Sequence, residues 1–175
     1  MTQKPLALLI AAGLALGTVT GAHAATSPAM TAALAASNPF AAPSTLYLHA
    51  PAFDKIKDAD YTPAFEEGMA QQLKEVDAIA KNPEAPSFDN TIVALEKTGQ
   101  LLGRVSAVFY NLVGTNTNDA MDKIQKDMSP RLSAHNDAIV LNGALFQRVK
   151  SLYDRRDSLG LDAESKRPLE RYHTD

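Results

Sequence analysis

The chain has 175 residues, 17 Lys and Arg against 20 Asp and Glu, a formal net charge of -3, and 45% hydrophobic residues. These are values of a globular chain of about one domain, and the mildly acidic balance argues against nucleic-acid binding through a basic surface. There are no cysteines, which excludes a disulfide scaffold, a Cys-ligated zinc, an iron–sulfur cluster and a thiol nucleophile.

Residues 1–24 have the pattern of a secretory signal. Lys4 supplies a positive charge, an apolar stretch of LALLIAAGLALG follows, and Ala22-His23-Ala24 is the small-x-small pattern cut by signal peptidase. The stretch is too short to span a bilayer. Cleavage after Ala24 and a periplasmic location, with no membrane association after signal removal, are therefore expected. Residues 25–37, rich in Ala, Ser and Thr, are expected to be a flexible leader. Residues 38–57 carry Pro39, Pro43 and Pro51 among Phe40, Leu46, Tyr47 and Phe53. Prolines that frequent prevent a helix, so an extended arm lying on a body is expected there.

Residues 58–175 are expected to be helical. Thr62-Pro63 is a helix start, because proline at the first helical position gives up an N–H that has no partner anyway. Phe65, Met69, Leu73, Val76 and Ala80 then recur at steps of three or four, and Asn82-Pro83 stops the helix. A second helix is predicted from an Asp89 cap through Ile92, Leu95, Leu102, Val105, Phe109 and Leu112, ending at Gly114. A third follows Asn118 and sets Met121, Ile124, Met128, Leu132, His135 and Ile139 on one face, with Pro130 expected to kink or divide it. A fourth starts at Asn142 and buries Leu145, Val149 and Leu152. A turn at Ser158-Leu159-Gly160-Leu161 leads to a fifth helix capped by Asp162, with Pro168 inside it.

No run alternates with period two over strand length. The predicted fold is all-α, a helical bundle or hairpin array preceded by the extended Pro-containing arm. The last helix reaches the final residue with a proline and no C-cap glycine, which suggests a segment truncated in that helix; a frayed tail is the plainer alternative.

The four histidines are His23, His49, His135 and His173. None is followed by Glu, and no two stand at helical spacing, so a two-histidine metal site within one element is excluded. There is no Gly-x-Ser-x-Gly elbow, phosphate loop or calcium loop. Weaker signals remain. His135, with Asp137 near it, suits a metal or pH-switch role less well than a packed, hydrogen-bonded one. Gly99 to Gly103 is a small-xxx-small spacing that suggests tight helix packing. Asp154-Arg155-Arg156-Asp157 is either a group for a peptide terminus or a solvated helix end with local ion pairs. Tyr47, Tyr61 and Tyr110 are candidate hydrogen-bonding groups or ordinary amphipathic packing.

Asn38-Pro39-Phe40, then Ala50-Pro51-Ala52-Phe53-Asp54-Lys55-Ile56-Lys57 and Tyr61-Thr62-Pro63-Ala64-Phe65-Glu66, carry a family resemblance. So do Phe88-Asp89-Asn90-Thr91-Ile92-Val93-Ala94-Leu95-Glu96, Leu141-Asn142 with Leu145-Phe146, and Tyr153 to Leu161. From Asn38 to Thr174 the chain resembles the N-terminal region of bacterial peptidyl-dipeptidases, in the thimet oligopeptidase and oligopeptidase A family of zinc metallopeptidases. The resemblance implies a mainly helical protein several times longer, with a deep channel between two halves. It implies zinc on a His-Glu-x-x-His helix with a downstream Glu ligand, and short peptides as substrates that lose dipeptides from their C-termini. The matched region would be scaffold and channel wall. No catalytic, cofactor-binding or metal residue of the family has a counterpart here, so this chain alone is expected to bind no zinc and to be inactive. Pro168 departs from the family pattern, where a helix-compatible residue such as leucine is expected. A stand-alone, non-catalytic periplasmic helical module that binds peptides or a partner protein is the alternative.

Overall fold

The computed structural model describes residues 33–174. The export signal 1–24 and residues 25–32 of the expected leader lie outside the described residues. The described chain is all-α, with no strand among its elements. A 3-10 turn at Tyr47–His49 precedes α1 (Asp58–Ala80), a π-helical segment at Phe88–Val93, α2 (Ala94–Glu96), α3 (Gln100–Thr115), α4 (Asp119–Val140), α5 (Gly143–Tyr153), a second 3-10 turn at Arg156–Ser158, and α6 (Ala163–Thr174).

Local chemistry explains most of the boundaries. Asn118, Asn142 and Asp162 each stand before a helix and accept a hydrogen bond from the N–H three residues on, at 2.9, 3.0 and 2.7 Å. Each satisfies an N–H that has no intrahelical partner. Two starts differ from expectation. α1 begins at Asp58 rather than beside Pro63, because the Lys57 N–H donates to the Asp60 carboxylate and the first turn carries Asp58 and Asp60 at the positive end of the helix. The next helical segment is capped by Ser87 rather than Asp89: Ser87 Oγ accepts from the Asn90 N–H, and Asn90 Oδ1 accepts from the Ser87 N–H.

That segment also does not continue into α3 as one helix. Gly99 adopts φ 69°, a left-handed conformation that ends the helical path after Glu96 and starts α3 in a new direction. Pro130 and Pro168, by contrast, lie inside helices that run without a break. Each removes one backbone donor, and the carbonyls so released belong to Lys126 and Glu164, both exposed, where water can serve them.

The 23-residue α1 is the spine of the fold. Its first half packs with α3 and α4 around Tyr61, Phe65, Val105, Phe109, Met121 and Met128. Its second half gives Val76 to another cluster, with Ile92, Leu95, Leu145, Val149, Leu152 and Leu169. α5 and α6 close that cluster, and Leu169 is fully buried there. Gly68 sets how near α1 and α3 come, since a Cβ at this position would meet the Leu102 backbone at 3.0 Å. The expected Gly99–Gly103 pair has no such role: Gly99 is outside the helix and Gly103 faces open space. Before α1 the backbone is irregular. Phe40 is buried against Tyr61 at a ring separation of 5.5 Å, while Leu46, Tyr47 and Phe53 are exposed.

Candidate functional site

The second half of α1, the end of α4 and the start of α5 enclose a cleft of about 720 Å³, bounded also by α2 and the end of α6. Val76, Leu95, Leu145 and Val149 make an apolar floor, and Gln72, Asn136, Glu96 and His173 place polar groups around it. The floor residues belong to the buried cluster shared by α1, α2 and α5. The polar groups come from helix faces that turn away from the core.

Each polar group has a physical setting. The Gln72 amide accepts from His135 Nε2 at 2.8 Å and donates to Thr98 Oγ1 at 3.3 Å, joining α1, α4 and the loop before α3. His173 stacks on the Tyr153 ring, with centroids 3.8 Å apart, and more loosely on Phe146 at 5.9 Å. Glu96 accepts from Arg171 at 2.6 Å. Both side chains of that pair are about half exposed, so it contributes about 0–1 kcal/mol. Burial raises the Tyr172 phenol above its ordinary value, and the Glu96 carboxylate adds to this. Val140, Leu141 and Phe146 leave an apolar edge at the mouth, Leu141 being 80% exposed. This combination of apolar floor and side-chain amides can hold a chain segment with apolar side chains and hydrogen-bond its peptide groups.

His135 is buried and hydrogen bonded, the packed alternative, with Nδ1 enclosed and without a partner. His49 lies elsewhere, on the Ser44 carbonyl at 2.7 Å. Asp154, Arg155, Arg156 and Asp157 do not converge. Asp154 pairs with Lys150 at 2.6 Å, Arg155 donates to the Pro86 carbonyl, Arg156 lies over the Tyr153 ring, and Asp157 faces Lys166 at 3.4 Å. Tyr47 is exposed and Tyr61 is core, with its hydroxyl buried and unpartnered. Tyr110 rests edge-on against Phe109. Burial, then the Asp58 and Asp60 carboxylates, raises the Tyr61 phenol. Sequence reasoning passed over Arg148, which is buried and ties α5 to the loop after α1.

Among the described residues no group of three or more His, Asp or Glu side chains could hold a metal ion. The three described histidines are engaged separately, on Ser44, Gln72 and Tyr153. These residues do not fit the zinc that the resemblance implies. No helix among the described residues is long and apolar enough to cross a membrane.

His135 gives this region a pH dependence. Burial holds its imidazole below the ordinary 6.5, so at mildly acidic pH the unfolded chain binds a proton that the folded chain refuses. Its contribution to stability is complete above the unfolded value. It declines as the pH falls through that value and stops declining once the folded imidazole is protonated. Denaturant midpoints at about pH 8 and about pH 5.5 should differ less in His135→Gln than in the natural chain. An equal drop in both would overturn the assignment.

The described residues thus form an all-α domain with a cleft of about 720 Å³ between α1, α4 and α5. No family model matches the chain. Over 136 residues it is 48% identical to the dipeptidyl carboxypeptidase of Escherichia coli K12, a match covering 78% of this chain and 20% of that protein. The dipeptidyl carboxypeptidase of Salmonella typhimurium LT2 is 45% identical over 136 residues, with the same shares covered. The chain is thus homologous to a segment of the dipeptidyl carboxypeptidases, and it spans about a fifth of the length of the curated relatives it matches.

Proposed function

We propose that the chain is the N-terminal helical scaffold and channel-wall segment of an exported, periplasmic zinc metallopeptidase that releases C-terminal dipeptides from short peptides. The observation that carries this reading is the 48% identity over 136 residues to a dipeptidyl carboxypeptidase. The apolar floor and amide rim of the α1–α4–α5 cleft support a wall that faces peptide. On this reading zinc and the groups that act with it belong to the remaining four-fifths of the relatives' length.

A second reading, a stand-alone helical module that binds peptides or a partner protein, is favoured by one observation. Among the described residues, both hydrophobic clusters join side chains from several helices. The two separate in one experiment. The native protein is captured from the periplasmic fraction with an antibody to residues 60–160, weighed intact, and assayed for dipeptide release. The scaffold reading expects a mass several times 18.7 kDa and dipeptide release that a chelator stops. A mass at or just below 18.7 kDa, or a larger protein that releases no dipeptide, would overturn it.

A further inference from the structure

We infer that the cleft between the segment preceding α1 and the face of α3 binds an apolar molecule ending in a carboxylate, with Arg104 and Lys55 receiving the carboxylate. The cleft holds about 700 Å³, a size that suits a ligand of a few residues or a medium-length chain. Phe40, Leu46, Ile56 and Val108 give it apolar walls. Its basic side chains are Arg104, Lys55 and His49, and no aspartate or glutamate lines it among the described residues.

A lining of one sign is notable in a chain of net charge -3. Elsewhere, cations stand beside carboxylates at several places: Arg131 with Glu66 at 2.8 Å, Arg171 with Glu96 at 2.6 Å, and Lys81, Lys123 and Lys150 each with an aspartate four residues away. Neither Arg104 nor Lys55 takes part in an ion pair among the described residues. Arg104 is half-buried, so its charge is partly desolvated without a counter-charge. One Nη donates to the Phe40 carbonyl at 3.1 Å, which anchors the guanidinium at the cleft wall. Nε is enclosed with no partner, and the remaining Nη donors are left for an acceptor in the cleft. A carboxylate meets that need better than a neutral group, because it accepts two bonds from the guanidinium fork and cancels its charge.

The backbone beside the cleft gives a second observation. Leu48 and His49 both adopt left-handed conformations, at φ 53° and 55°, which side chains other than glycine rarely take. Leu48 is thereby 81% exposed, while His49 is turned into the cleft lining. Strain of this kind concentrates where the chain holds a ligand. The inference does not depend on the peptidase reading, since it uses a different face of the fold.

The test is calorimetric titration of the full chain, at low salt, with three probes: N-acetyl-leucyl-leucine, its C-terminal amide, and octanoate. The acid dipeptide or octanoate, or both, should bind, and the amide should bind about tenfold or more weakly than its acid. Tighter binding of the dipeptide acid would identify a peptide terminus as the source of the carboxylate, and tighter binding of octanoate a fatty acid. Lys55→Glu reverses an exposed charge without touching the core, and should weaken the acid probe about tenfold. Arg104→Lys keeps the charge and loses the fork, and should weaken it similarly. The inference fails if neither acid binds, if the amide binds as well as the acid, or if both folded variants bind the acid as the natural chain does.

Discussion

Replacing Arg148 by methionine is expected to destabilise the fold by about 3 kcal/mol, read from denaturant unfolding near neutral pH. The guanidinium is buried, and it donates to the Asn82 carbonyl at 2.8 Å, the Glu84 carbonyl at 3.0 Å and Asn90 Oδ1 at 2.9 Å. The first two acceptors lie on the loop after α1. The third is the same oxygen that accepts the Ser87 N–H in the helix cap. One side chain therefore ties the loop, the cap and α5 together. Methionine fills similar space but leaves the Asn82 and Glu84 carbonyls without their donor, while Asn90 Oδ1 keeps the Ser87 N–H; each buried orphan costs about 1–3 kcal/mol. Part of that cost is relieved where water reaches the loop, which is why the expected total stays near the lower bound of the sum. Arg148→Lys should fall between the two, because an ammonium keeps the charge and loses the planar fork that spans two elements. If Arg148→Met unfolds at the same midpoint as the natural chain, the arginine has no anchoring role.

Phe109→Ala is expected to cost about 3–5 kcal/mol. Phe109 is fully buried on α3, and its ring meets Tyr61 at 5.0 Å and Phe65 at 5.3 Å in edge-on geometry. Truncation removes the apolar transfer energy and leaves a cavity between two long helices that cannot close fully on it. The aromatic pairings add about 0.5–1.5 kcal/mol each beyond area. The measurement is thermal and denaturant unfolding of the variant beside Phe109→Leu, which keeps most of the volume and should lose less than half as much. Equal losses for the two would show that specific ring geometry, rather than filled volume, stabilises this cluster.

The two residues differ in how visible they are in the amino-acid sequence. Phe109 stands on a stripe with Val105 and Leu112, and its burial follows from helical periodicity alone. Arg148 sits among Phe146, Gln147 and Val149 with no local sign that it is buried. Its acceptors are 58 to 66 residues away, so only the packing of α5 against the loop brings them to it. The same distinction applies to the clefts. Arg104 reads as one more solvated cation until Phe40, 64 residues earlier, is found to accept its hydrogen bond. The pairing of His135 with Gln72 joins residues 63 apart, although the place of His135 on the apolar stripe already points to a packed, hydrogen-bonded histidine.

The sequence by itself determined that this protein is all-α, where its last three helices begin, and which peptidases it resembles. Those properties rest on interactions within a few residues, such as the Asn118, Asn142 and Asp162 caps, or on identities that need no geometry. Only the tertiary structure decided that Gly99 separates two helices while Pro130 and Pro168 interrupt none. A glycine's φ is settled by what packs around it, here the Gln72 side chain that a Cβ would meet at 2.5 Å. A proline's cost depends on whether water can reach the carbonyl it releases, and that is a property of the folded surface.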